Sequence, residues 1–141
     1  MNNAFHVVIH AGPYTGVDRH VVKIEGRELT VIKAVGPLRG VFACSFEDVV
    51  TEFGKLPRMF LELDGSFVWV VEEEASRHQL DGLLVDNGPN IVTVEVKGCC
   101  DAPTLERLLR VLGWPSQELL FQLVEHGVYL EEAEFRNAFI A

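Results

Sequence analysis

The stretch from Arg58 to Val71 constrains the fold of this chain most. Arg58 to Leu63 and Ser66 to Val71 are two runs rich in β-branched and aromatic residues, separated by Asp64-Gly65. That dipeptide favours the type I′ turn of a two-residue β-hairpin, whose twist matches that of the strands it joins. Pairing Leu63 with Ser66 places Met59, Leu61, Leu63, Val68 and Val70 on one face and Phe60, Phe67 and Trp69 on the other. Both faces are apolar, so the hairpin is expected in the middle of a sheet or under a helix.

The rest of the chain supplies further strands and a few helices. Phe5, Val7 and Ile9 alternate with His6, Val8 and His10 until Ala11-Gly12-Pro13 breaks the run. His20 to Ile24 and Leu29 to Val35 form a second hairpin around a loop containing Gly26, ended by Gly36-Pro37. Ser45 precedes a predicted helix from Phe46 to Phe53, with Asp48 as capping-box partner and Gly54 as stop. A third hairpin joins His78–Val85 to Ile91–Lys97. Leu105, Leu108, Leu109 and Leu112 recur at i, i+3, i+4 and i+7, an amphipathic helix ended by Gly113. Leu119 to Val124 fits a buried strand or a helix, with the balance towards a strand that turns at His126-Gly127 into Val128–Leu130. A short helix is expected over Glu131 to Phe139. The fold class read from this order is α+β: one domain with a mostly antiparallel sheet of hairpins and two or three packed helices.

Composition bounds the function. At 141 residues and 48% hydrophobic the chain is long enough to bury a core without staples. Its longest unbroken apolar run, Phe67 to Val71, is too short to span a bilayer, so no membrane association is expected. No Lys or Arg precedes Asp18, which argues against the basic start of a secretory signal. Three cysteines, Cys44, Cys99 and Cys100, without a C-x-x-C, fit free thiols in a reducing, cytoplasmic compartment. The net charge of −9 is uneven: residues 1–71 hold 7 basic and 8 acidic groups, residues 72–141 hold 5 basic and 13 acidic. An acidic half is a poor general surface for nucleic acid, whose affinity comes largely from phosphate contacts, and it suits solubility, a basic partner or a cation.

One constellation carries chemistry. A five-residue loop from Asp86 to Asn90 sets Val85 across from Ile91. Asp81 then faces Glu95, their Cβ atoms roughly 4.5–5.5 Å apart. Lys97 lies on the same face, roughly 6.6 Å beyond Glu95 along the strand, with Gln79 across from it. The other face carries Leu80, Leu84, Val92, Val94 and Val96. Two carboxylates on neighbouring strands can share Mg²⁺, a hard cation that takes oxygen ligands. A lysine beside them can neutralise charge on a phosphoryl oxygen.

Asp81 followed by Glu95-Val96-Lys97 resembles the signature of the PD-(D/E)XK nuclease family, as does the order of elements from residue 45 to 125. The chain departs from that pattern at Leu80, where the family commonly has a proline. The resemblance implies a Mg²⁺-dependent phosphodiester hydrolase with Asp81 and Glu95 as metal ligands, Lys97 as electrostatic helper, and Glu47 or Glu52 of the first helix as a further acidic ligand. Nucleic acid is a partner only under that reading. The leading reading is a non-catalytic binding or assembly module that meets a protein partner or a second copy of itself, through the Phe60, Phe67 and Trp69 face or the acidic half. Elsewhere, His6 and His10 share a strand face but stand roughly 13 Å apart, too far to share a zinc ion. Glu106 and Arg110 form an i, i+4 pair. Arg107 and Arg110 share a helix flank from which both could reach a phosphate near Lys97.

Overall fold

Alternation in the first strand shows how the molecule is layered. A computed structural model describes residues 4–13, 18–33, 40–73 and 76–140. Strand β1 (Phe5–Ala11) buries Phe5, Val7, Ile9 and Ala11, while His6, Val8 and His10 point to the other face. It pairs on one side with β7 (Asn90–Cys99) and on the other with β8 (Leu119–Leu123), both antiparallel. Around this centre the described residues form a nine-stranded antiparallel sheet in the order β2-β3-β9-β8-β1-β7-β6-β5-β4. The remaining strands are β2 (Asp18–Ile24), β3 (Arg27–Lys33), β4 (Met59–Leu61), β5 (Ser66–Glu73), β6 (Ser76–Asn87) and β9 (Val128–Glu131). The stretch from Leu119 to Leu123 is thus a strand. The expected end of β3 at Val35 and the break at Gly36-Pro37 lie outside the described residues.

The three helices seen among the described residues are α1 (Phe46–Phe53), α2 (Ala102–Val111) and α3 (Glu132–Phe139), and they cover the face that carries Phe5, Val7 and Ile9. α1 starts in the expected capping box: Ser45 Oγ accepts from the Asp48 amide at 3.0 Å and Asp48 Oδ2 accepts from the Ser45 amide at 3.0 Å. α2 is capped by Asp101, whose carboxylate accepts from the Thr104 amide at 3.0 Å. These bonds hold the Asp101 carboxyl below its usual range, the Thr104 hydrogen bonding being the largest cause. The Leu105, Leu108, Leu109 and Leu112 stripe is wholly buried. Phe135 of α3 stacks on Phe121 at 4.5 Å between ring centroids and meets Phe5 edge-on at 5.1 Å.

Two hairpins differ from expectation in register. Leu61 pairs with Phe67 and Met59 with Trp69, one residue away from the alignment of Leu63 with Ser66. The cause is the turn. The Glu62 amide donates to Ser66 O at 2.8 Å and the Gly65 amide to Glu62 O at 3.0 Å, so Leu63, Asp64 and Gly65 form a three-residue loop with Gly65 at φ +94°. Asp64 Oδ1 accepts from the Ser66 amide at 2.9 Å and so favours this loop over a two-residue one. A slip of one residue flips faces. Met59 and Leu61 therefore join Phe67 and Trp69 against the helices, and Phe60 goes to the other side, 61% exposed. In the third hairpin Asn87 pairs with Asn90, leaving a Gly88-Pro89 turn in place of a five-residue loop. Between the Val85–Thr93 and Asp86–Ile91 pairs β7 holds one extra residue, Val92. The bulge turns Ile91 into the core, fully buried, in place of Val92.

Candidate functional site

Asp81 on β6 and Glu95 and Lys97 on the adjacent β7 all project from the face that no described helix covers. Their pairing differs from the expected one. Asp81 lies across from Lys97, Glu95 across from Leu83, and Gln79 across from Cys99. The shorter turn and the bulge at Val92 together shift the register by two residues. An even shift keeps every side chain on its own face, so the three ionisable groups remain on one surface. Asp81 and Glu95 are now diagonal neighbours, a relation that sets Cα atoms roughly 7–8 Å apart rather than face to face.

What Glu95 meets instead is β1. His6 Nε2 lies 3.2 Å from Glu95 Oε2, an arrangement in which the imidazole N–H donates to the carboxylate. Four residues along, His10 Nε2 is 2.9 Å from Gln122 Oε1, and its ring lies 5.8 Å from that of Tyr129. Asp81 Oδ1 accepts from Gln79 Nε2 at 3.3 Å. Among the described residues, Lys97 has no carboxylate within 4.0 Å. The central strands thus present a row of ionisable and amide side chains held largely by one another.

The other candidates fall elsewhere. Glu47 and Glu52 belong to α1, on the opposite side of the sheet from Asp81 and Glu95, and Glu52 pairs with Lys55 at 2.9 Å. Neither can complete a metal site with Asp81. Arg107 and Arg110 stack over Trp69 and Trp114 on the helix side, at 5.2 and 5.1 Å from the ring centroids, so they do not join Lys97. Glu106 pairs with Arg136 of α3 at 2.5 Å rather than with Arg110. Burial pushes the Cys100 thiol up to about 12, which keeps it protonated and unreactive at neutral pH, whereas Cys99 is exposed. Phe67 and Trp69 are buried at 2% and 0% exposure beneath the helices, so the Phe60, Phe67 and Trp69 side chains do not form one surface. The apolar side chains that Phe60 does accompany on the helix-free face are Val68 across from it, then Leu83 and the exposed Val85 of β6.

One cluster has no counterpart in the sequence reading. Glu25, in the β2–β3 turn, meets Glu125 and His126, in the β8–β9 turn, with their polar atoms within 4.8 Å of one another. No spacing rule links positions so far apart, and each residue on its own reads as an ordinary turn residue. Compared with known proteins, the chain matches no family model, no curated protein and no solved structure.

Proposed function

We propose that this chain is a non-catalytic assembly module of a reducing, cytoplasmic compartment, and that a second copy of itself docks on the helix-free face of the sheet. One observation carries the reading: Phe60, 61% exposed on a face that no described helix covers, with Val68, Leu83 and the 38% exposed Val85 beside it. An aromatic side chain left in water at the rim of an apolar patch is what an interface anchor looks like before its partner arrives. Charge supports a copy as the occupant. The patch borders groups of both signs, Asp81 across from Lys97 and Glu95 against His6. In a two-fold contact the same surface serves both partners, so such a mixture can pair with itself. A polyanion would instead meet a net charge of −9.

Sedimentation across a wide concentration range tests this. The wild-type chain is expected to pass from monomer to dimer, and Phe60→Asp to weaken that step by roughly thirtyfold, the effect of losing an anchor worth about 2 kcal/mol. A wild-type protein that stays monomeric at the highest attainable concentration would remove the self-association.

The hydrolase reading is favoured by a different observation, the shared face of Asp81, Glu95 and Lys97. It makes Asp81 and Glu95 the ligands of Mg²⁺, with Glu95 exchanging its His6 contact for the metal. It expects saturable Mg²⁺ or Mn²⁺ binding that vanishes in Asp81→Ala and Glu95→Ala, and divalent-dependent cleavage of DNA or RNA that vanishes in Lys97→Ala. Metal titrations unchanged across these variants would eliminate it.

A further inference from the structure

At the end of the sheet where β1 starts and β7 finishes, a cavity of about 240 Å³ opens to solvent. At about 30 Å³ per water it has room for roughly eight waters, the space of a molecule of about eight to ten non-hydrogen atoms. Its floor is apolar: Phe5, Ile24, Leu29, Leu123 and Phe139. Its rim is charged and mixed in sign, and it includes Arg27 of β3, whose guanidinium lies over the Phe139 ring at 5.8 Å. Lys97 and His6 come from neighbouring positions on β7 and β1, which pair with each other. Glu25 comes from the β2–β3 turn, and Glu125 and His126 from the β8–β9 turn.

These opposite charges do not neutralise one another. Among the described residues, neither Glu25 nor Glu125 has a basic partner within 4.0 Å, and Lys97 has no carboxylate within that distance. Lysine, carboxylate pair and apolar floor thus surround one space without filling it. A small-molecule site has this composition, a mostly apolar concavity with a few polar groups converging on it. The ligand that complements it carries an anion and a cation a few atoms apart and a short hydrocarbon tail.

We propose that this cavity binds a small zwitterion, an α-amino acid with an apolar side chain. Its ammonium lies against Glu25 and Glu125 with His126 as a further acceptor, its carboxylate against Lys97 with His6 beside it, and its side chain on the Phe5 and Leu123 floor. The site shares Lys97 and His6 with the border of the proposed self-association face, but Phe60, the anchor of that face, lies on β4 at the far edge of the sheet.

Calorimetric titration of the full chain with leucine, isoleucine, valine, methionine and phenylalanine is the test, alongside isoamylamine and 4-methylpentanoate, which carry one of leucine's two charges each. At least one of the amino acids is expected to bind saturably, and leucine more tightly than either analogue by roughly tenfold, the worth of one charge-assisted hydrogen bond. Glu125→Gln should remove leucine's advantage over 4-methylpentanoate, and Lys97→Met its advantage over isoamylamine. Both positions are exposed, so both variants should keep the wild-type unfolding midpoint, and Phe60→Asp should bind as the wild type does. The proposal is overturned if no amino acid binds, if the two variants bind as the wild type does, or if Zn²⁺ alone binds in place of the amino acids and is lost in Glu125→Gln, which would reassign the carboxylates to a metal.

Discussion

Replacing Trp69 by alanine is expected to lower the free energy of unfolding by about 3–5 kcal/mol, the range for removing a large aromatic from a packed core. The indole is fully buried. It lies between Met59 of β4 and Leu80 of β6, takes the Arg107 guanidinium at 5.2 Å over its ring, and donates from Nε1 to Pro57 O at 3.2 Å. Truncation would leave a void between the sheet and α2 and deprive a backbone carbonyl of its donor. Against a total stability of about 5–15 kcal/mol for domains of this kind, the loss is a large fraction. Urea denaturation measures it, as a lower midpoint at an unchanged slope. Phe60→Ala, on the other face of the same hairpin, should stay within about 0.5 kcal/mol in the monomer. Equal losses at both positions would contradict the register described for β4 and β5.

Gly98→Ala should be comparably damaging for a different reason. Gly98 sits at φ +145°, a region that side-chain-bearing residues rarely enter, and a Cβ there would lie 2.2 Å from the Gln79 carbonyl oxygen and 3.2 Å from Leu80 Cδ2. The first of these atoms is backbone, held in the β6–β7 ladder, and cannot swing aside. Backbone strain of about 1–3 kcal/mol and a steric cost of similar size add to about 2–6 kcal/mol. The loss would read out in urea denaturation, and in hydrogen exchange as faster opening of the amides around Leu80 and Gly98. Because Lys97 is the preceding residue, amino-acid binding in the cavity should fall with it, whereas Lys97→Met should weaken leucine binding by roughly tenfold without loss of stability. An alanine variant as stable as the wild type would mean that β7 can rotate at this point without leaving β6.

The helices and most strands could be read directly from neighbouring residues. The Ser45–Asp48 box and the Leu105 stripe are local patterns, and each marks a helix in the fold. Period-two alternation likewise identified which face of β1 is buried. Register was harder. Asp64-Gly65 suits more than one loop, and the selection between them rests on the hydrogen bonds around Glu62 and Ser66. That one-residue difference transferred Phe60 to solvent and Met59 to the core. In the third hairpin the difference was two residues, so Asp81, Glu95 and Lys97 kept their common face while changing partners.

Chain neighbours thus sufficed where a cap or a clear repeat is present, in α1, α2 and the alternating β1, and for the bias of charge towards the C-terminal half. Those features arise from interactions spanning a few residues, which any stretch of sequence carries with it. The His6–Glu95 contact, the placing of α1 across the sheet from Asp81, and the meeting of Glu25 with Glu125 and His126 have no such local origin. They follow from strand order, with β8 and β7 flanking β1 and the β2–β3 hairpin joining through β9. That order is set by which apolar faces bury one another best over the whole chain.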